Sequence, residues 1–152
     1  MDACEPCAAG TRQPEPNATA CVACEVGSYC TEGASAPLPC PVGTFTSATD
    51  AGSVGDCAPC PKGSFCPLGS AAALLCAAGS YSGSENAGRC DLCPSGSYMN
   101  ATGATACMAC RTGSFCPDGA TMELPANCPP GTLASQMPLA RTTSLLITIT
   151  IT

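Results

Sequence analysis

The sequence contains no histidine and no tryptophan, and only three tyrosines and three phenylalanines among 152 residues. Without histidine the usual general acid–base side chain is missing. No Gly-x-Ser-x-Gly elbow, phosphate-binding glycine loop, paired-carboxylate motif or EF-hand loop compensates, so neither an enzyme nor a cofactor is expected. Isoleucine occurs only at Ile147, Ile149 and Ile151. Burial at roughly 25 cal/mol per Å² cannot hold a chain with so few large apolar side chains, and an ordinary hydrophobic core is excluded. The basic residues are Arg12, Lys62, Arg89, Arg111 and Arg141; scattered in this way they form no stripe that could neutralise phosphates, which excludes a nucleic-acid partner. No apolar run approaches the length of a membrane-spanning helix. The opening Met1-Asp2-Ala3-Cys4 carries no signal-peptide pattern, and the expectation is a piece of a longer secreted chain.

What the chain has instead is 16 Cys, 16 Gly and 15 Pro. Cysteine above about 8–10% marks a disulfide scaffold in an oxidising compartment, so an extracellular location, secreted or at the cell surface, is expected. The net charge of −6 is dispersed and reads as solubility.

The cysteines are organised by one phrase, Cys-x-x-Gly-[Ser/Thr]-[Tyr/Phe], which starts at Cys24, Cys40, Cys60, Cys76, Cys93 and Cys110. It contains every aromatic residue: Tyr29, Phe45, Phe65, Tyr81, Tyr98 and Phe115. Shorter versions start at Cys7, with Arg12 in the aromatic slot, and at Cys128, with Leu133 there. Successive starts lie 16 to 20 residues apart, the mark of a linear repeat array. Long loops run from Cys7 to Cys21, Cys40 to Cys57, Cys76 to Cys90 and Cys93 to Cys107; short loops run from Cys24 to Cys30, Cys60 to Cys66 and Cys110 to Cys116.

Two disulfide plans fit this grammar. In a sequential ladder each phrase cysteine pairs with the next cysteine, giving 7–21, 24–30, 40–57, 60–66, 76–90, 93–107 and 110–116, with Cys4 and Cys128 left over. In a crossed plan 21–30 joins 24–40, 57–66 joins 60–76, and 107–116 joins 110–128. The crossed plan strands Cys4, Cys7, Cys90 and Cys93, which favours the ladder, although spacing alone does not settle connectivity. Closing a loop of about 15 residues contributes roughly 3 kcal/mol.

The glycine of each phrase sits at a turn position that calls for positive φ. The neighbouring Ser or Thr can bond local backbone, and the aromatic is expected to stack on a disulfide. The fold class expected is small and disulfide-rich. It is an elongated linear array of short β-hairpin and turn repeats with a period near 17 residues. It has almost no helix and ends in a β-strand, and each unit touches mainly its neighbours. Residues 1–131 form the repeats and 132–141 a linker. Residues 142–152 form an isolated Ile/Thr strand whose period-two alternation is a strand signal. That strand reads as the start of another domain or, with less weight, as an assembly strand that adds to a second subunit.

The five C-x2-C pairs (Cys4/Cys7, Cys21/Cys24, Cys57/Cys60, Cys90/Cys93 and Cys107/Cys110) resemble zinc knuckles. They recur, however, as joints between loops, and Cys30, Cys66 and Cys116 fit no zinc ribbon, so no metal site is expected. Thioredoxin-like chemistry lacks its βαβ context. Asn17-Ala-Thr19 and Asn100-Ala-Thr102 are acceptors for N-glycosylation and lie inside long loops, so covalent glycans are expected at Asn17 and Asn100.

The stretches CPVGTFTSATDAGSVGDCAPCPKGSFC, from Cys40 to Cys66, and CDLCPSGSYMNATGATACMACRTGSFC, from Cys90 to Cys116, resemble the ephrin-receptor-like cysteine-rich repeat. This repeat falls in the wider class of tumour-necrosis-factor-receptor and growth-factor-receptor cysteine-rich modules. The resemblance runs from about Cys4 to Gly131 and implies an extracellular, elongated, disulfide-laddered module with no catalytic residues. Two functions follow from it as expectations. The first is a structural spacer or fibre-building segment of a secreted or cell-surface glycoprotein, which self-associates or abuts neighbouring domains of a longer chain. The alternative is a ligand-binding ectodomain segment of a receptor-like protein. Loops rich in Ala, Gly, Ser and Thr favour the first.

Overall fold

The computed structural model describes residues 4–125. Cys128, Gly131, the linker 132–141 and the Ile/Thr strand expected over 142–152 lie outside the described residues.

Fourteen two-residue strands form seven antiparallel hairpins. The first three are β1 (Thr11–Arg12) with β2 (Val22–Ala23), β3 (Ser28–Tyr29) with β4 (Leu38–Pro39), and β5 (Thr44–Phe45) with β6 (Ala58–Pro59). The next two are β7 (Ser64–Phe65) with β8 (Leu74–Leu75) and β9 (Ser80–Tyr81) with β10 (Asp91–Leu92). The last two are β11 (Ser97–Tyr98) with β12 (Met108–Ala109) and β13 (Ser114–Phe115) with β14 (Leu124–Pro125). A single 3-10 turn, Val54–Asp56, is the only helical element among the described residues.

Every hairpin opens on the two residues that follow a phrase glycine. The first six close on the two residues before the next phrase cysteine. Long-loop and short-loop units are therefore the same hairpin. They differ in where the second cysteine stands. It precedes the returning strand in long units (Cys21, Cys57, Cys90, Cys107) and follows the outgoing strand in short ones (Cys30, Cys66, Cys116).

The structure pairs the cysteines sequentially: Cys7–Cys21, Cys24–Cys30, Cys40–Cys57, Cys60–Cys66, Cys76–Cys90, Cys93–Cys107 and Cys110–Cys116. An isolated two-stranded hairpin is marginal in water, and here a bridge inside each unit limits the freedom of its unfolded chain. The largest fully buried side chains are all cysteines: Cys30, Cys40, Cys60, Cys66, Cys76 and Cys93. Leu68, Leu75, Leu92 and Met122 are mostly exposed. The sulfurs take the place of an aliphatic core. Most aromatics are half-buried and stand across the hairpin from a returning-strand residue, as Tyr29 faces Leu38, Phe65 faces Leu74 and Tyr98 faces Met108.

One expectation needs extending. Units contact not only their neighbours but also the unit after next, because the phrase glycines are packed against backbone from two hairpins further on.

Candidate functional site

The feature that recurs along the described chain is the junction between repeats, and it is built almost wholly from backbone. Each unit is counted here by its phrase cysteine: Cys7, Cys24, Cys40, Cys60, Cys76, Cys93 and Cys110. Within a phrase, the amide after the glycine donates to the carbonyl three residues earlier, as in Thr11 to Ala8 (3.0 Å), Thr44 to Pro41 (3.0 Å) and Ser97 to Pro94 (3.0 Å). The glycine between them has φ from 76° to 88°, the arrangement of a type II turn. Hydroxyls reinforce it: the side chains of Thr11, Thr44, Ser80 and Ser97 each donate to the same carbonyl at 2.7 Å.

With its carbonyl and amide turned outward, the phrase glycine joins the next unit. Its N–H donates to the carbonyl six residues after the next phrase cysteine. The pairs are Gly10 to Cys30, Gly27 to Thr46, Gly43 to Cys66, Gly63 to Ser82, Gly79 to Met99 and Gly96 to Cys116, at 2.7–2.8 Å. The amide of that same sixth residue reaches on to the following unit, as in Cys30 to Ala51 (2.9 Å), Cys66 to Ala87 (2.9 Å) and Met99 to Ala120 (3.0 Å). A third bond returns. Gly33 donates to Cys7, Gly69 to Cys40, Asn86 to Cys60, Gly103 to Cys76 and Gly119 to Cys93, at 2.7–2.9 Å. Each such bond is worth about 0.5–1.5 kcal/mol net, and each leaves a backbone group paired that would otherwise be lost to water.

The donors of the third bond stand in a second turn, nine or ten residues after six of the seven phrase cysteines; after Cys40, Asp50 holds that place without the left-handed φ or the bond. Asn17, Gly33, Gly69, Asn86, Gly103 and Gly119 have φ between 59° and 72° there, the left-handed region that Gly and Asn tolerate best. The carbonyl at this position lies over the phrase glycine two units back. A Cβ on Gly10 would stand 2.4 Å from the Asp50 oxygen. The same atom on Gly27, Gly43 and Gly63 would stand 2.2 Å from the oxygens of Gly69, Asn86 and Gly103, and on Gly79 2.3 Å from that of Gly119. Apart from the left-handed φ, the packing itself therefore admits only glycine.

Reading of the cysteine phrase alone misses this second turn. Its signal is a pair of small residues: Asn17-Ala18, Gly33-Ala34, Gly69-Ser70, Asn86-Ala87, Gly103-Ala104 and Gly119-Ala120, with Asp50-Ala51 at the same place without the turn. The small second residue is needed because it lies inside the junction; Ala51, Ser70 and Ala120 are buried. Asn17 thus has a turn role of its own, the one Asn86 fills without a glycosylation sequon. Asn17 and Asn100 are both exposed on long loops.

Charged groups are few and local. Arg12, in the aromatic slot of the first unit, pairs with Glu25 at 2.7 Å, while its Nε is buried without a partner. Asp118 accepts from the Ser95 amide at 2.7 Å, and Glu123 from the Arg111 amide at 3.1 Å. Asp56 accepts from the amides of Gly52 and Ser53, both at 2.9 Å, and from the Ser53 hydroxyl at 3.2 Å. The Gly52 amide first, then the Ser53 amide and hydroxyl, hold its carboxyl below the ordinary carboxylate range. The four inner C-x2-C pairs are committed to disulfides, and a sulfur so bonded is not the thiolate a zinc ion needs. Among the described residues only Cys4 is free, and it is exposed.

The repeated turn, bridge and junction can be set against known families. Residues 79–123 match the family described as tyrosine-protein kinase ephrin type A/B receptor-like. This stretch is an ephrin-receptor-like cysteine-rich region. The ephrin-receptor-like stretch spans most of the last three described hairpins, and the four before it carry the same phrase turn, bridge and ladder. The match is to a cysteine-rich region and assigns no catalytic family. No curated protein matched the chain. Ephrin-receptor-like repeats are typical of extracellular segments, and seven disulfides suit an oxidising compartment.

Proposed function

We propose that this chain is a structural, extracellular segment, a spacer or fibre-building element of a secreted or cell-surface glycoprotein. The observation that carries the reading is the junction: six successive joints share the bond from the phrase glycine, five of them also the returning bond, and they ask of the side chains only that they be small. A surface built to recognise a ligand would differ from unit to unit; a surface built to set distance repeats. Each added unit then adds one hairpin and one junction, so the segment grows by simple addition.

Electron microscopy of oxidised, secreted material tests this, with a parallel sample truncated after Arg141. Elongated particles in both samples support the spacer. Filaments in the full-length sample that vanish on truncation support a fibre subunit joined through the Ile/Thr segment. Collapsed, isometric particles in both samples would sink the structural reading.

A further inference from the structure

We infer that the joint between the second and third units is a hinge, the place among the described residues where the array parts before it parts elsewhere. The inference deepens the structural reading above and rests on it. A spacer with one weak joint is two pieces that swing, the first two units against the five that follow.

Six joints lie inside the described residues, and five of them carry all three backbone bonds. Between the fourth and fifth units, for example, Gly63 donates to Ser82, Cys66 to Ala87, and Asn86 back to Cys60. Between the second and third, Gly27 donates to Thr46 and Cys30 to Ala51, but the returning bond is missing. Asp50 stands where its donor belongs, without the left-handed φ. The Asp50 amide and the Cys24 carbonyl have no partner among the described residues.

A side-chain difference falls at the same joint. The residue before a phrase cysteine covers the second turn of the next unit. A Cβ on Gly33, Gly69, Gly103 and Gly119 would stand 3.6, 3.4, 3.2 and 3.4 Å from the side chains of Pro6, Pro39, Leu75 and Leu92. Between the fourth and fifth units the residue in this place is Pro59; between the second and third it is Ala23. A single methyl group has far less apolar surface to bury than proline or leucine. The loop that carries Asp50 is also the longest that a bridge encloses, at 17 residues from Cys40 to Cys57 against 14 or 6 elsewhere. Asp56 ties that loop at Gly52 and Ser53, beyond Asp50. The Asp50 carbonyl still lies over Gly10, and Ala51 is buried. The joint is therefore shut in the folded chain, and the inference concerns how readily it opens.

Amide hydrogen exchange of the full-length, oxidised chain, resolved by residue with NMR, tests this. The Gly27 and Cys30 amides cross the joint, while Gly43, Thr46, Gly63 and Cys66 cross the next two. Protection factors at Gly27 and Cys30 should be roughly tenfold lower, the worth of one lost bond and a thinner cover. The Cys40 amide, bonded to Gly27 inside the second hairpin, should stay protected, because the unit itself remains folded. Ala23→Leu/Asp50→Gly gives the joint the pair found at Leu75 and Gly103. It should raise Gly27 and Cys30 to the protection of Gly79 and Ser82, which cross that other joint, with an unchanged disulfide map. Equal protection across the wild-type joints overturns the hinge and leaves the spacer reading, which particle shape decides, in place. Loss of protection at Cys40 together with Gly27 and Cys30 overturns it as well, since the unit would then unfold rather than swing. A double variant with the same bridges whose Gly27 and Cys30 still exchange fast overturns the cause assigned here. The wild-type comparison decides the matter even where the variant does not fold.

Discussion

A Cβ placed on Gly63 would lie 2.2 Å from the carbonyl oxygen of Gly103, two hairpins further along the chain. The contact sets a steric limit that no rotamer change can relieve, because the obstructing atom is backbone. Gly63→Ala is therefore expected to lose at least the roughly 1–2 kcal/mol of left-handed strain, plus the cost of parting two units. Gly113→Ala shares the strain, at φ 85°, without a described obstruction. Thermal unfolding of the two variants checks this: Gly63→Ala should fall further, and equal midpoints would refute the stacking.

The bridges differ in what they enclose. Cys76–Cys90 spans 14 residues and Cys60–Cys66 spans 6. On loop entropy alone the first contributes about 3 kcal/mol and the second about 2 kcal/mol. Replacing each pair by serine should give losses in that order, read by denaturant unfolding. Peptide mapping without reduction should recover the seven sequential pairs, and a peptide joining Cys57 to Cys66 would point to the crossed plan instead.

Arg12 occupies a place where six other units have Tyr or Phe. Its Nε is buried without a partner, and its ion partner Glu25 is largely exposed. A buried unsatisfied donor costs about 1–3 kcal/mol, more than an exposed pair of this kind returns, about 0–1 kcal/mol. Arg12→Tyr is expected to stabilise the first unit by about 1 kcal/mol, visible as a raised thermal midpoint; a lowered one would show that the ion pair dominates.

Asp56 ties down the long loop of the third unit through Gly52 and Ser53. Its carboxyl is held below the ordinary range by those bonds, so its stabilising effect is complete above the ordinary value of about 3.9. The effect is lost as pH falls through the lowered folded value. The difference in midpoint between wild type and Asp56→Ala should thus be present at neutral pH and shrink on strong acidification. A constant difference across that range would rule the mechanism out.

Asn17 and Asn100 are exposed within Asn-x-Thr sequons. Secretion from eukaryotic cells should add glycan mass at both. Asn17→Gln and Asn100→Gln should each remove one glycan, as intact-mass measurement before and after enzymatic deglycosylation would read.

Much of the architecture was legible in the cysteine phrase. Its glycine demanded a turn, and the structure has that turn at each described position; its spacing demanded a linear array of hairpins. The contact between Gly63 and Gly103 was not legible, because a carbonyl resting on a Cα leaves no side-chain pattern beyond one more glycine. The second turn was hidden for a related reason. Its residues, Asn17, Gly33 and Asn86 among them, vary in type because they share a backbone conformation rather than a chemistry. The division into long and short units also dissolved, since Cys21 and Cys30 serve the same kind of hairpin, in two successive units, from opposite ends of the loop.

The placement of the bridges bears on how the chain would respond to a pulling force. Each disulfide encloses its own loop, from Cys7–Cys21 through Cys110–Cys116, and none links one unit to the next. Tension applied along the chain would part the hydrogen-bonded junctions while the bridged loops stay shut. Among the described residues, only the short connectors and the strips 31–39, 67–75 and 117–125 could straighten, at about 3.3–3.6 Å per residue. Such a segment gives a little and then stops, with covalent bonds setting the limit of its stretch.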